Sequence, residues 1–308
     1  FFCGQYNVSM NFSVVIPCFR STESILQVVE SIDSLYPNQC DAIILVQDGP
    51  DRSTSERLSQ CASISPIVKV IELTDNVGQH QATLCGIQHA SPDSAVITID
   101  DDMQIHPKEM AKLMDKFLLT GADLVYGIYL KRHHNILRKS LATIFGRIIS
   151  MFSSIPSKGS SFKIISPELV HFLHQYSSSF VFLDAVLAKK SKLISFSEVN
   201  HLPRTSGVSG YNWYKLTRIG FQIIMHYTSI PIFVFFPVGV LLFSFPLILM
   251  LCSDSLSEEF SRNFDLSFFG MMGFIFAGLV MMVLGMIGQK KRMGNFSGAK
   301  GHGFKIKM

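Results

Sequence analysis

Two long stretches without a charged side chain occupy the last quarter of this 308-residue chain. Tyr227 to Cys252 spans 26 residues and Leu266 to Gly288 spans 23. About 20 apolar helical residues cross a hydrocarbon layer roughly 30 Å thick, so each stretch is long enough to span one. Between them, Ser253 to Asp265 carries Asp254, Glu258, Glu259 and Asp265 against Arg262 alone. Lys215 and Arg218 precede the first stretch, while Lys290, Lys291, Arg292, Lys300, Lys305 and Lys307 follow the second. Basic residues are retained on the cytoplasmic side of a membrane. The expectation is a multi-pass membrane protein with both ends cytoplasmic, an external acidic loop, and a cytoplasmic domain ahead of the spans. Two buried core helices of a soluble protein would be the alternative, and the length argues against it.

Charged residues make up 16% of the chain, below the quarter usual in soluble domains, and the deficit lies in the two apolar stretches. Six basic residues fall in positions 290–308. Such a tail suits an anionic membrane surface, which gains about 1 kcal/mol per charge. No other basic stripe occurs, so nucleic acid is not an expected partner. Cys3, Cys18, Cys40, Cys61, Cys85 and Cys252 show no Cys-x-x-Cys spacing, which points to reduced thiols and away from a disulfide scaffold or zinc site. The N-terminal residues lack the basic region and apolar core of a signal peptide.

The first 130 residues alternate in pattern. Phe12–Pro17, Ala42–Val46, Val68–Leu73, Ala95–Ile99 and Leu124–Tyr129 read as strands, several of them continuous apolar runs covered on both faces. Ser24–Leu35, Ser53–Ala62, Gly78–His89 and Pro107–Leu119 read as helices. Strict alternation implies an α/β domain with a mostly parallel sheet and helices on both faces. Ligands of such sheets bind beyond the carboxyl ends of the strands, which directs attention to the turns after Pro17, Val46 and Ile99.

The last of these turns holds Asp100, Asp101 and Asp102. Along an extended chain, positions 100, 102 and 104 point to one side. Asp100, Asp102 and Gln104 would then offer oxygen ligands to Mg²⁺ or Mn²⁺. On spacing alone, an acidic turn capping the following helix is an equal alternative. Asp48-Gly49, after the second strand, is ordinary turn chemistry placed where a nucleotide could bind.

Several motifs together carry a family resemblance. FSVVIPCF (Phe12–Phe19), Asp48-Gly49, Asn76-Val77-Gly78-Gln79, Asp100-Asp101-Asp102-Met103-Gln104, Arg138-Lys139-Ser140 and Arg204…Gly207…Ser209…Tyr211 occur in order, followed by the paired spans. The set resembles the family 2 glycosyltransferases of the GT-A fold, and within them the polyprenyl-phosphate glycosyltransferases of the dolichol-phosphate mannose synthase and undecaprenyl-phosphate 4-deoxy-4-formamido-L-arabinose transferase types. It covers roughly residues 12–289.

The resemblance implies that Asp100, Asp102 and Gln104 hold Mg²⁺ or Mn²⁺ against the diphosphate of a UDP- or GDP-sugar. It places Pro17, Asp48, Gln79 and Asp101 at the donor. Arg132, Arg138, Lys139, Ser140, Arg204 and Ser209 would bind the acceptor phosphate, with Asp100, Asp102 and Arg138 central to catalysis. Three departures are visible: Arg20-Ser21 stands where the family has Asn and an acid, Gln47 replaces the first acid of Asp-Asp-Gly, and Gly210 replaces a basic residue. The first two bear on base recognition, the third on the number of phosphate-gripping cations.

The implied organisation is a cytoplasmic GT-A catalytic domain over 1–210, an interfacial amphipathic helix over 211–226, two membrane helices over 227–289 with a loop at 253–265, and a basic tail over 290–308. Trp213, Tyr214 and Tyr227 suit the headgroup level. Leu141–Phe152 is a second interfacial candidate, or equally a helix covering the globular core. The implied reaction is inverting sugar transfer to a polyprenyl phosphate, undecaprenyl phosphate in a bacterial inner membrane. Two other readings stand beside it. One is transfer to a glycan hydroxyl, which needs a base and has Asp184 as its candidate; the other is a non-catalytic scaffold of the same fold. Two spans make a thin membrane unit, so a homo-oligomer is a candidate assembly.

Overall fold

The computed structural model describes residues 10–129, 159–178, 181–202, 213–252 and 268–297. The chain divides into two compact units, one built on a β-sheet and one on the helices from Trp213 onward.

In the first unit, β1 (Phe12–Cys18), α1 (Ser24–Leu35), β2 (Cys40–Gln47), α2 (Arg52–Ile64), β3 (Val68–Glu72), α3 (Gln79–Gln88) and β4 (Ala95–Thr98) follow one another in regular alternation. A 3₁₀ turn at Pro107–Glu109 leads into α4 (Met110–Thr120) and β5 (Leu124–Tyr129). Then come β6 (Lys163–Ile165), α5 (Pro167–His174), α6 (Leu183–Lys190) and β7 (Ile194–Val199). The seven strands form one sheet in the order β3-β2-β1-β4-β6-β5-β7. All pairings are parallel except those of β6, which runs antiparallel to both β4 and β5.

Local chemistry sets these elements. β1 and the Ala42–Gln47 stretch of β2 are almost wholly buried, as a central parallel sheet covered on both faces requires. α1 turns Ile25, Val28, Val29 and Ile32 inward, a helical i, i+3, i+4, i+7 stripe. Each such fully buried side chain contributes on the order of 1.5–3 kcal/mol. The Asp51 carboxylate caps α2 by accepting from the Thr54 amide at 2.9 Å. Ser166 accepts from the Leu169 amide at 3.4 Å at the start of α5, where Pro167 occupies the first turn. These elements converge on a core that includes Ile16, Ile32, Leu45, Ile97, Val125 and Ile164.

The second unit contains α7 (Trp213–Tyr227), a π turn at Pro231–Phe235, α8 (Phe236–Cys252) and α9 (Phe268–Ser297). Pro231–Ile248 and Met272–Lys291 are long and apolar enough to cross a membrane, and only 17% of the residues in each segment are buried. A core helix of a soluble protein would bury far more of its apolar surface. α9 continues beyond Gly288 through Lys290 and Lys291; its 30 residues extend about 45 Å, more than a hydrocarbon layer needs.

α8 and α9 meet backbone to backbone. A Cβ at Gly239 would lie 2.7 Å from the Gly278 carbonyl oxygen, and one at Gly278 would lie 2.6 Å from the Phe243 nitrogen. Small residues permit this approach where apolar burial cannot drive helices together. Gly278→Leu should therefore force the helices apart and cost about 1–3 kcal/mol, read as a melting temperature several degrees lower in detergent. Gly273→Leu, at a position with nothing within 4 Å, should leave the melting temperature unchanged or raise it.

Candidate active site

The parallel strands β1, β2 and β4 deliver their carboxyl ends to one edge of the sheet, and the predicted acids lie there. Asp48, directly after β2, is buried, and its carboxylate accepts from the backbone amides of Val77 at 2.7 Å and Gly78 at 3.0 Å. Burial raises its pKa, while these amides pull it down. Gly49 has φ +90, and a Cβ there would meet the Asn76 nitrogen at 2.9 Å, so only glycine lets the two loops touch. Asp48-Gly49 and Asn76-Val77-Gly78, two separate sequence motifs, are thus one hydrogen-bonded unit. Gly78 then opens α3, which presents Gln79 at the edge of the site.

The three consecutive acids take three different partners. Asp100 accepts from the Gln79 side-chain amide at 2.7 Å with one oxygen and from the Ser161 hydroxyl with the other. Asp101 turns away from it: its carboxylate accepts from the Ser21 hydroxyl, and its carbonyl from the Ser24 hydroxyl at 2.7 Å. Asp102 accepts from the backbone amide of Gln104 at 3.2 Å. Burial pushes the Asp101 carboxyl up to about 6; Ser21 opposes the rise, and the flanking carboxylates of Asp100 and Asp102 add to it.

The chain through these residues is not extended. β4 ends at Thr98, and Met103 has φ +56, a left-handed conformation uncommon outside glycine. Alternation therefore does not govern residues 100–104; a tight turn does. The donor set consists of hard oxygens, and no group of three or more His, Cys, Asp or Glu suited to a metal occurs among the described residues. Two half-buried carboxylates fit an ion of the Mg²⁺ or Mn²⁺ kind, which binds through one or two carboxylates and completes its shell with water and phosphate.

The two sequence departures in this region have structural employment. Ser21 is buried; besides reaching Asp101, it donates its amide to the Thr54 hydroxyl at 3.2 Å and accepts from Arg57 at 3.0 Å. Gln47, also buried, donates to the carbonyls of Gly49 at 3.0 Å and Asp51 at 3.1 Å, and accepts from Ser55 at 2.9 Å. Both fasten the loops that frame the acidic turn.

Beneath Asp100 lies a cavity of about 240 Å³ bordered by Pro17, Gln79, His80, Asp100, Lys163 and Asp184. At its floor the Lys163 ammonium, 3% exposed, pairs with Asp184. Tyr126 donates its hydroxyl to the same Asp184 oxygen at 3.1 Å, and the Lys163 nitrogen stands 5.2 Å from the Tyr126 ring centre. Burial alone would raise the Asp184 pKa, but the Lys163 charge and the hydrogen bonds from Lys163 and Tyr126 hold it below the ordinary carboxylate value. Burial, reinforced by the Asp184 charge, drives the Tyr126 phenol well above its ordinary value.

The structure thus gathers Pro17, Asp48, Gln79, Asp100, Asp101, Asp102 and Gln104 at the carboxyl edge of the sheet. Arg132, Arg138, Lys139, Ser140, Arg204, Ser209 and the segment Leu141–Phe152 lie outside the described residues. Sequence reasoning missed Ser21, Tyr126, Ser161 and Lys163. A lysine within the apolar run Phe162-Lys163-Ile164-Ile165 was the one available signal, because such a residue must find a buried partner.

Comparisons with known proteins bear on the family and the fold. The chain is 28% identical over 292 residues to an undecaprenyl-phosphate 4-deoxy-4-formamido-L-arabinose transferase of Pectobacterium carotovorum subsp. carotovorum, covering 91% of this chain and 87% of that one. It is 26% identical to a bactoprenol glucosyl transferase of Shigella phage SfV, over 75% of this chain and 76% of the relative. Among solved structures, glucosyl-3-phosphoglycerate synthase from Mycobacterium tuberculosis, in complex with Mn²⁺, UDP-glucose and phosphoglyceric acid, superposes with a TM-score of 0.50. It is 18% identical, with 70% of this chain and 78% of that one covered, a likeness of fold. The fold is accordingly GT-A. The family described as glycosyl transferase family 2 matches residues 13–187, more than half of the chain and nearly all of β1 through the Lys163–Asp184 pair, and the protein belongs to that family.

Proposed function

We propose that this glycosyltransferase moves a sugar from a UDP- or GDP-sugar to a polyprenyl phosphate at the cytoplasmic face of a membrane, with inversion at the anomeric carbon. The carrying observation is the Asp100–Asp102 turn, whose Asp100 borders a polar cavity, in a chain that also has two helices able to span a membrane. The names of the Pectobacterium and Shigella phage relatives, an undecaprenyl-phosphate sugar transferase and a bactoprenol glucosyl transferase, support the acceptor. In this reading residues 1–210 form the catalytic domain, α7 lies at the interface, α8 and α9 span the bilayer, and the basic tail returns to the cytoplasm. An inner membrane and undecaprenyl phosphate are the expected setting.

Asp100 and Asp102, with Gln104 beside them, would hold a divalent ion against the donor diphosphate. Such an ion neutralises charge developing on the leaving group. Asp101, fastened to Ser21 and Ser24, fixes the turn that carries its neighbours. Asp48 fixes the loop that presents Gln79, and the nucleotide would lie beside that loop. Arg138 would steer the acceptor phosphate, with Arg132, Lys139, Ser140, Arg204 and Ser209 as its further ligands. A phosphate monoester has its second pKa near 6, so it reaches the site already able to attack. No general base is then required.

The state of Asp184 favours that acceptor over a hydroxyl. A base for a hydroxyl needs a pKa near the operating pH. Asp184 has a lowered one and is already engaged by Lys163 and Tyr126.

Membranes containing the protein should transfer label from one member of a panel of radiolabelled UDP- and GDP-sugars into undecaprenyl phosphate with Mn²⁺ or Mg²⁺. EDTA should abolish transfer, and Asp102→Ala should lower it at least about 100-fold, the scale lost with a single electrostatic contact to developing charge. Labelling of a glycan hydroxyl with none in the lipid would overturn the acceptor; silence with every donor would favour a scaffold.

The buried ion pair gives a separate prediction. Lys163→Met strands a buried carboxylate and should cost about 3–5 kcal/mol, much of it recovered in Lys163→Met/Asp184→Leu. With a folded pKa below the ordinary 3.8, native Asp184 holds fewer protons than the unfolded chain between the two values. Its contribution is complete above pH 3.8 and declines as pH falls through the lowered value. Thermal melts from pH 7 to pH 3 should show less acid destabilisation in the double variant than in the parent.

A further inference from the structure

We infer that the cavity beneath Asp100 receives the transferred sugar, that this sugar carries no charge, and that His80 reads its hydroxyl groups. The inference rests on the transferase reading above. His80 is the second residue of α3, next to the Gln79 that binds Asp100, and its ring borders the cavity. Phe182 meets that ring edge-on, with centroids 4.6 Å apart and planes at 68°, which fixes the orientation of the imidazole. Among the described residues neither ring nitrogen has a hydrogen-bond partner, although the ring is half-buried. A half-buried imidazole that borders a polar cavity and makes no hydrogen bond to the described residues is placed to bind a ligand there.

The charges around it restrict what that ligand can be. Lys163 of β6 and Asp184 of α6 neutralise each other, Tyr126 of β5 supplies a protonated phenol, and Asp100 adds a carboxylate at the rim. Every cationic side chain among the described residues that line the cavity is therefore paired. A uronic acid placed here would bring a carboxylate beside Asp100 and Asp184, while the one cationic side chain among the described lining residues, Lys163, is already held by Asp184 and the metal by the diphosphate, a costly burial. Sugar hydroxyls need only donors and acceptors, and a neutral imidazole offers one of each. Burial keeps the imidazole in that neutral form: its pKa is pushed down to about 4, with Asp184 acting upward and Lys163 downward.

The test uses the full chain in detergent with undecaprenyl phosphate, Mn²⁺, and UDP-glucose, UDP-galactose, UDP-xylose, GDP-mannose and UDP-glucuronate as donors. A neutral donor should be used, and UDP-glucuronate at least about 100-fold less well. His80→Phe keeps the ring contact and removes both nitrogens. It should lower kcat/KM for the neutral donor about 10- to 100-fold, the range expected when a hydroxyl loses its partner. Affinity for the matching free nucleoside diphosphate with Mn²⁺ should stay within twofold, and His80→Asn should recover part of the rate. No ionisation between pH 5.5 and 8.5 should disappear from the rate profile in His80→Phe. Equal use of UDP-glucuronate would overturn the charge restriction. An unchanged kcat/KM in His80→Phe, or a parallel loss of nucleoside diphosphate affinity, would overturn the role of His80. Absence of transfer from every donor, with nucleotide binding intact, would overturn the transferase reading and this inference with it.

Discussion

Three carboxylates in succession at the end of a buried strand repel one another, and the surrounding loops are organised by the need to hold them. Mutual repulsion and burial both favour protonation, so a site that keeps Asp100 and Asp102 available must separate the group. The structure does so by sending the acids to different neighbours: Asp100 to Gln79 and Ser161, Asp101 to Ser21 and Ser24, Asp102 back to the Gln104 amide. The middle acid anchors the turn, and all three remain half-buried. The β1–α1 loop, the start of α3 and the approach to β6 are all tied down by these contacts.

Where the sequence was legible, one local cause dominated. Ala42–Val46 and Ala95–Ile99 are continuous apolar runs ending in turn residues, and both are strands at nearly the expected limits. The charge-free stretches announced α8 and α9 in the same way. Legibility failed where position depended on distant chain. β6 has three residues and carries a lysine, so no pattern marks it; it is a strand because β4 and β5 flank it. β7 has alternating half-exposed residues and exists through its pairing with β5.

The site divides in the same manner. Asp100, Asp102 and Asp48 were found from motif and location. Their partners were not, because a hydrogen bond from Ser161 to Asp100 or from Val77 to Asp48 leaves no trace in spacing. Ser21 and Gln47 looked like losses only when compared with a family pattern; in the fold each holds a loop that frames the acidic turn. Residues 100–104 defeated the alternation argument because β4 ends before them and Met103 reverses the backbone.

The antiparallel direction of β6 has a consequence for how such proteins diversify. Because it runs against β4, its amino end arrives beside the carboxyl ends of the parallel strands, and Lys163 stands opposite Thr98 at that edge. One side of the cavity is therefore encoded by residues 159–163, far along the chain from the acidic turn at 100–104. Drift or recombination in this later segment can reshape the chamber and, through Ser161, the setting of Asp100, while the fastenings of Asp101 to Ser21 and Ser24 are inherited separately. The inserted strand thus gives a lineage one genetic handle on the chamber and Asp100 together, apart from the β1–α1 loop that anchors Asp101.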